Sequence, residues 1–382
     1  MRFMKILHIA DTHLGFSAYR KTTKDGVNQR EKDIYDSFIR VIDYAIKEKV
    51  DLILHAGDLF DTVRPTNRAI TVALQQILRL SRHKIPLVII SGNHEQPKLQ
   101  ETGHIFSVFE HLDNVFPIYN ETYEKHRFIL DDTILCIHAL PQVNVGDTFQ
   151  SQLDEITVEE DADYNILIAH GTVQGIKEFS MNEFNELLIP KRFLSSLFDY
   201  VALGHYHKYT RVTDKAYYAG SIDALTFADS GERKGFIQLS RVDNVLQPEF
   251  KEVEIRPVID SQTIFCDDLS VEAIMEQILS TIHKIDPVGK IFRIHLKNIT
   301  SHQYRNLDFR AIRHHAEGSI HYELKVTFSD KETTMDDHQN KLESLTKEYE
   351  RFLETKEVKE KKMLLKKGLS YLERIEKSTD TL

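Results

Sequence analysis

The sequence predicts an α/β fold: a two-sheet α/β sandwich, followed by a small α+β domain and a C-terminal helical tail. Three observations carry this. Residues 4–96 alternate between apolar runs of strand length and apolar stripes at helical spacing, and shorter runs recur between residues 134 and 240. The composition then changes near residue 256 and again after residue 329. The boundaries that follow are 1–256, 257–330 and 331–382.

The elements can be justified in order. Lys5 to Ala10, Val50 to His55 and Pro86 to Ile90 read as buried strands. Between them, Ile34, Phe38, Val41, Ile42 and Ala45, and then Ile70, Leu74, Ile77 and Leu78, recur at helical spacing. Strand, long helix, strand, long helix, strand is the pattern of a parallel sheet covered by helices. The runs Ile134–His138, Asn165–Ala169, Tyr200–Leu203, Arg211–Thr213, Ala216–Ala219 and Gly235–Ser240 look hairpin-like and are expected to build a second sheet. Beyond Arg256, a helix over Glu272–His283 lies between strand-like runs at Ser261–Phe265, Ile291–Leu296 and Ile320–Phe328. From Lys331 onward, 24 of 52 residues are charged, with apolar stripes at Leu342, Leu345, Tyr349 and Phe352 and at Leu365, Leu369, Leu372 and Ile375. Gly368 is expected to weaken the second stripe.

Composition bounds the function. With 382 residues, 41% hydrophobic and only 15 Gly and 9 Pro, the chain is neither disordered nor repetitive in the collagen sense. Two cysteines, Cys136 and Cys266, do not make a disulfide framework and suit a reducing cytoplasm. No apolar run approaches the roughly 18 residues of a membrane span, so no membrane role is expected. The net charge of −10 runs against the basic footprint of nucleic-acid binders. Nucleic-acid binding would need local positive charge, which bound metal ions could supply.

Five short motifs carry the chemistry: Asp11-Thr12-His13, Gly57-Asp58, Gly92-Asn93-His94-Glu95, His170-Gly171 and Gly204-His205-Tyr206-His207. Each is weak alone, since a G-D is a common turn and an H-x-H can be two strand residues on one face. Together they place imidazole, carboxylate and amide donors just after strand ends, where open α/β sheets hold ligands. The set contains no thiolate, which suits Mn, Fe or Zn better than a structural zinc site. Seven such donors are too many for one tetrahedral ion and suit two ions sharing a carboxylate. Glycine before Asp58, Asn93 and His205 is expected to let the backbone turn each side chain into the pocket.

In this order the motifs resemble those of the calcineurin-like, two-metal phosphoesterases. The stretches HIADTHLGFSAYRK, NQREKDIYDSF, LHAGDLFDTVRPTNRA, SGNHEQPK, ALGHYHK and YAGSID are further similar to the SbcD-type nuclease subunits of double-strand-break repair. The resemblance covers roughly residues 4–240 by motif and the rest by layout. It implies a metallophosphoesterase core, with Asp11, His13 and His207 on one metal, Asn93, His170 and His205 on the other, and Asp58 bridging them. It implies two divalent ions, Mn2+ foremost, which can clamp a phosphodiester for in-line attack by water. His94 takes the catalytic role of stabilising the transition state or protonating the leaving oxygen. Some relatives carry a second active-site histidine where this chain has Asp61.

The expected function is that of a metal-dependent DNA nuclease, with exonuclease and endonuclease activity at double-strand ends, in the nucleoid. Tyr19, Arg20, Lys21, Arg30, Arg64, Arg68 and Lys98 flank the metal-bearing loops and are expected to track DNA phosphates. The alternative is that they are ordinary solvated charges. The two tail stripes are expected to dock an SbcC-type, SMC-like ATPase, the alternative being charged helices folded on the body. Helices carrying Ile70, Leu74 and Leu78 and Ile105, Phe106 and Phe109 are a candidate homodimer face, or ordinary core. Two rivals stand beside this reading: a phosphoesterase or phosphatase with a non-DNA substrate, and a non-catalytic scaffold that bridges DNA ends.

Overall fold

In a computed structural model of the chain, the described residues are 4–144, 146–175, 186–194, 197–329, 349, 353 and 361–369. In chain order, the strands of the sandwich begin with β1 (Lys5–Ile9), β2 (Leu52–Ala56), β3 (Leu87–Ile90) and β4 (Val115–Ile118). They continue with β5 (Glu124–Leu130), β6 (Thr133–Leu140), β7 (Tyr164–His170), β8 (Thr172–Val173), β9 (Leu188–Ile189) and β10 (Tyr200–Gly204). The remainder are β11 (Thr210–Arg211), β12 (Ala216–Tyr218), β13 (Gly235–Val242) and β14 (Val245–Glu252). Helices α1 (Gln29–Glu48), α2 (Asn67–Arg82) and α3 (Gly146–Glu155) lie between them.

Two six-stranded sheets result, in the orders β14-β13-β1-β2-β3-β4 and β11-β12-β10-β7-β6-β5. In the first, β1 to β4 run parallel and β13 joins β1 antiparallel. In the second, β6, β7, β10 and β12 are parallel, and the antiparallel pairs are β5 with β6 and β11 with β12. This corrects two expectations. The later strands are mostly not hairpins, because the segments joining them are long enough for crossovers. Gly235–Ser240 belongs to the first sheet rather than the second.

Side-chain alternation explains the layering. Ile6, Leu52, Leu54, Val88 and Ile90 of the first sheet meet Leu135, Ile137, Ile166, Ile168 and Ala202 of the second in one buried layer. The opposite face of the first sheet, Leu7, Ile9, Ile53 and Ile89, is covered by Ile34, Phe38, Val41, Ala73 and Ile77 of the helices. A third cluster, including Leu167, Val201, Leu203, Phe149 and Leu153, covers the outer face of the second sheet. The helix starts follow capping rules: Asn28 accepts from the Arg30 and Glu31 amides and Thr66 from that of Ala69. Phe106 and Phe109, expected as one choice to face a second copy, are fully buried in this core, which removes them from any dimer surface.

After the sandwich come β15 (Val258–Phe265), α4 (Val271–Ile285), β16 (Ile291–Ile299), α5 (Ser301–Arg305), α6 (Phe309–His315) and β17 (His321–Phe328). The three strands form a sheet in the order β15-β16-β17. Contacts divide the chain into a first compact unit, Met1–Ser261 with Ile282–Arg293 and His314–Glu323, and a second holding Gln262–Thr281, Ile294–Arg313 and Leu324–Leu382. In the second unit, residues 361–369 are helical, and the Tyr349 hydroxyl donates to the Leu364 carbonyl at 3.0 Å. A Cβ at Gly368 would lie 2.2 Å from the Tyr349 ring, so the glycine makes the notch in which that ring sits. Among the described residues no helix is long and apolar enough to cross a membrane.

Candidate metal centre

The seven expected ligands converge. Asp11 and His13 follow β1, Asp58 follows β2, Asn93 and His94 follow β3, His170 closes β7, and His205 and His207 follow β10. All lie at the carboxyl ends of parallel strands, three from one sheet and two from the other. The loops after β1 and β2 continue side by side, with Asp11 N donating to Gly57 O at 3.1 Å and His13 N to Asp58 O at 3.0 Å.

The backbone bends sharply here, at Gly57 as expected and also at the polar residues themselves. Asp11 (φ 51°), His13 (φ 45°), Asp58 (φ 54°) and His205 (φ 99°) themselves take positive φ. Such conformations cost a non-glycine residue about 1–3 kcal/mol and persist where surrounding structure fixes them. Gly57 shares the bend at φ 89°. Gly92 and Gly204 serve close approach instead: a Cβ would lie 2.1 Å from Asp58 Oδ1 in one case and 1.8 Å from the Ala56 carbonyl in the other.

The donor atoms face one another at close range. His13 Nε2 lies 3.1 Å from His207 Nε2, and the Asn93 amide oxygen lies 2.9 Å from His170 Nε2 and 3.2 Å from His205 Nδ1. Three overlapping groups have donor atoms within 4.8 Å of one another: Asp11, His13 and His207; Asp11, Asp58 and His170; and His13, Asp58 and His94. Asp58 Oδ1 accepts the His94 amide at 3.0 Å, while Oδ2 lies 3.3 Å from His170 Nε2 and 3.9 Å from His13 Nε2. Asp11 Oδ1 accepts the His205 amide at 2.9 Å. The outer oxygens, Asp11 Oδ2 and Asp58 Oδ2, are buried without a hydrogen-bond partner. Burying a carboxylate oxygen in this way is costly unless a cation meets it.

Electrostatics support the same fit. Burial pushes the Asp11 carboxyl up to about 6 despite its histidine neighbours. Burial also opposes ionisation of Asp58, but the His170 imidazole holds it well below the usual carboxylate range. Burial disfavours a charged His170, yet Asp58 and Asp11 raise it to about 9. In the absence of metal the site therefore keeps a proton on an imidazole that could otherwise serve as a ligand. Its Nδ1 donates to the Ala56 carbonyl at 2.8 Å, which orients Nε2 toward Asn93 and Asp58. These nitrogen and oxygen donors fit a pair of divalent cations.

His94 is held differently. Its Nδ1 donates to the Asp61 backbone carbonyl at 2.9 Å, and its ring stands edge-on to His13 with centroids 4.6 Å apart. The Asp61 carboxylate lies 3.3 Å from His13 Nδ1. Asp61 thus lies against both rings. Glu95 closes the third motif, and nothing in the motif's spelling assigns it a role. It is fully buried, and its Oε1 accepts the Gly92 amide at 2.9 Å and the Leu59 amide at 3.4 Å, tying the Asn93 and Asp58 loops together. Burial, with the nearby Asp58 charge, raises Glu95 to about 8.

The basic residues divide. Arg20, Lys21, Arg64, Arg68 and Lys98 are exposed, Arg68 while paired with Glu31 at 3.3 Å. Tyr19 is half-buried and stacks on His321 with centroids 3.9 Å apart. Arg30 does not fit the expected DNA-contacting role. It is 1% exposed, and it donates to Asp33 at 2.8 Å, to Asp223 at 2.9 Å and to the Ala224 carbonyl. A guanidinium so enclosed cannot reach a phosphate. Of the expected partner-binding residues, Tyr349, Leu365 and Leu369 are partly buried. Leu342, Leu345, Phe352, Leu372 and Ile375 lie outside the described residues.

Residues 4–209 match the calcineurin-like phosphoesterase family, and the chain belongs to that family. Among curated proteins it is similar to the DNA double-strand break repair protein Mre11 of Saccharolobus solfataricus, 36% identical over 211 residues, 55% of this chain and 51% of that one. The protein of the same description from Sulfurisphaera tokodaii is 37% identical over 204 residues, 53% of this chain and 49% of that one. The Methanococcus maripaludis counterpart is 30% identical over 244 residues, 60% of each chain. The chain thus spans about half the length of the curated relatives it matches. A solved dimetal phosphatase from Danio rerio aligns with TM-score 0.36 and 10% identity, covering 65% of this chain and 96% of that one.

Proposed function

We propose that this chain is a metal-dependent nuclease that processes DNA double-strand ends, with both exonuclease and endonuclease activity, in the nucleoid. The observation that carries the hydrolytic part is the placement of Asp58, whose outer oxygen lies between His13 and His170 with no hydrogen-bond partner. Asp11, His13 and His207 would hold one divalent ion, Asn93, His170 and His205 a second, and Asp58 both. Manganese suits these donors. Two such ions, when bound, neutralise the phosphodiester and activate water for in-line displacement.

The chain's own residues do the rest. The Ala56 and Asp61 carbonyls fix the orientation of the His170 and His94 rings. With Nδ1 occupied, His94 presents Nε2 to the reacting group, where its proton would pass to the leaving oxygen. Exposed Arg20, Lys21, Arg64, Arg68 and Lys98 would hold the duplex by its phosphates without reading sequence. The DNA substrate is supported by the similarity to the Mre11 proteins, which also motivates a partner. The helical tail would dock an SbcC-type, SMC-like ATPase, and the active form would be a homodimer.

One experiment tests the reading against its rivals. Purified protein is incubated with end-labelled duplex DNA, a phosphopeptide and bis-p-nitrophenyl phosphate, with and without Mn2+. Mn2+-dependent shortening of the duplex is expected. Cleavage of the phosphopeptide alone would point to a phosphatase, and DNA binding without cleavage to a scaffold.

A further inference from the structure

We infer that Lys234 is a positioning residue for His207, holding the metal-ligand loop through the His207 backbone carbonyl. The inference rests on the two-metal reading above and extends it to a residue with no donor atom in the site.

Lys234 is 1% exposed. Its ammonium donates to the His207 carbonyl at 2.7 Å, to Ser221 Oγ at 2.9 Å and to the Asp229 carboxylate at 2.5 Å. A lysine has three protons to give, and these three acceptors account for all of them. The His207 carbonyl is met from a second direction by the Ser221 amide at 3.1 Å, while the Ser221 hydroxyl, 3.3 Å from it, has its shorter acceptor in the Asp223 carbonyl at 2.8 Å. Gly220 (φ 75°) brings the Ser221 turn close, since a Cβ there would lie 2.6 Å from Tyr209 N and 3.0 Å from the His207 carbonyl. One carbonyl thus collects two strong donors, and it belongs to an expected ligand.

The loop has reason to need this. His205, two residues earlier, sits at φ 99°, a conformation that non-glycine residues rarely adopt. His205 is held at its amide by Asp11, and His207 is held at its carbonyl by Lys234 and Ser221. Between these two anchors the side chains of both histidines are aimed at the donor cluster. A buried lysine is an expensive way to fill space, because its charge must be desolvated and paired, and an apolar side chain of like volume would pack as well. Asp229 supplies the pairing. The contact to His207 is what an apolar replacement would lose.

The test uses the full chain as wild type, Lys234→Met and Lys234→Gln. Metal-free protein is titrated with Mn2+ by calorimetry. The loaded forms are followed by electron paramagnetic resonance, which separates isolated from coupled Mn2+, and the metal-free forms by thermal melting. In Lys234→Met, one of two Mn2+ sites is expected to weaken by about 10–100-fold while the other keeps its affinity, as for partners that orient a ligand from behind. The spectrum should then pass from coupled to isolated Mn2+ at metal concentrations that fill both wild-type sites. Two wild-type affinities in Lys234→Met, whatever its melting temperature, overturn the inference, as does equal weakening of both sites. If Lys234→Met does not fold, Lys234→Gln, a polar but shorter and uncharged side chain, decides: weakening confined to one site supports the inference, and unchanged binding overturns it. A wild-type protein that takes up fewer than two ions overturns the two-metal reading itself.

Discussion

Two stretches leave the first strand in succession and take opposite courses. Asp11 to Leu14 runs inward, paired by its backbone with residues 57–59, and its polar side chains are buried in the donor cluster. The stretch from Tyr19 to Arg30 carries four basic or aromatic candidates and scatters them. Arg20 and Lys21 are exposed, Tyr19 lies half-covered on His321, and Arg30 is sealed against Asp33 and Asp223. Short side chains such as Asp and His go where the backbone aims them. Arginine reaches far enough for distant sequence to decide its partner, as Asp223 does here from 193 positions away. Motif spelling is therefore a good guide to the first stretch and a poor one to the second.

The contrast can be tested hardest at His94. If the inward stretch and its neighbours form a hydrolytic centre, His94→Ala should lower Mn2+-dependent DNA cleavage by about 10²–10⁴-fold, the usual worth of a general acid or base. Binding of Mn2+ and DNA should be kept, and undiminished turnover would remove His94 from the chemistry. At Arg30 the expected outcome is structural. Arg30→Met leaves buried Asp223 with only the Ser37 hydroxyl, while Arg256 still pairs Asp33, and should destabilise the fold by about 3–5 kcal/mol in denaturant melts. Its salt dependence of DNA affinity should remain that of wild type.

Arg20→Ala with Lys21→Ala should behave in the opposite way. Stability should stay within about 0.5 kcal/mol, as for exposed positions generally. The slope of log affinity against log salt should fall by about 1 for each phosphate contact removed. An unchanged slope would mean that these are solvated charges. A pH-dependent effect concerns Glu95, whose proton is retained up to about 8 when folded but only to about 4.5 when unfolded. In that window the folded state binds more protons, so this group's contribution to the stability of metal-free protein is lost as pH rises. Glu95→Gln keeps an acceptor for the Gly92 and Leu59 amides and should flatten the fall of melting temperature between those values.

Much of the body was legible in the sequence, and the errors have physical causes. The first three strands, with α1 and α2, were visible because buried parallel strands are nearly continuous apolar runs and their covering helices are amphipathic. The second sheet reads as hairpins in sequence because its strands are short, and strand direction leaves no mark on a single strand's composition. β13 was given to the wrong sheet for a related reason: its pairing with β1 joins residues more than 200 positions apart. Gly92 and Gly204 were correctly singled out, but for bending rather than for the lack of room beside Asp58 and Ala56. Gly368 seemed a flaw in a helical stripe until Tyr349 was found seated over it. Lys234 stands in the charged run Gly231-Glu232-Arg233-Lys234 and reads there as one more surface charge.

The sequence alone determined the sandwich core, the identity of the donor atoms and their station at strand ends, because each is encoded locally in apolar periodicity and in short-range side-chain chemistry. Only the tertiary structure decided which charge is buried, which carbonyl steadies which ring, and which lysine stands behind a histidine loop. Those outcomes depend on the desolvation and reach of side chains brought together from distant parts of the chain, and no window along the sequence contains both partners.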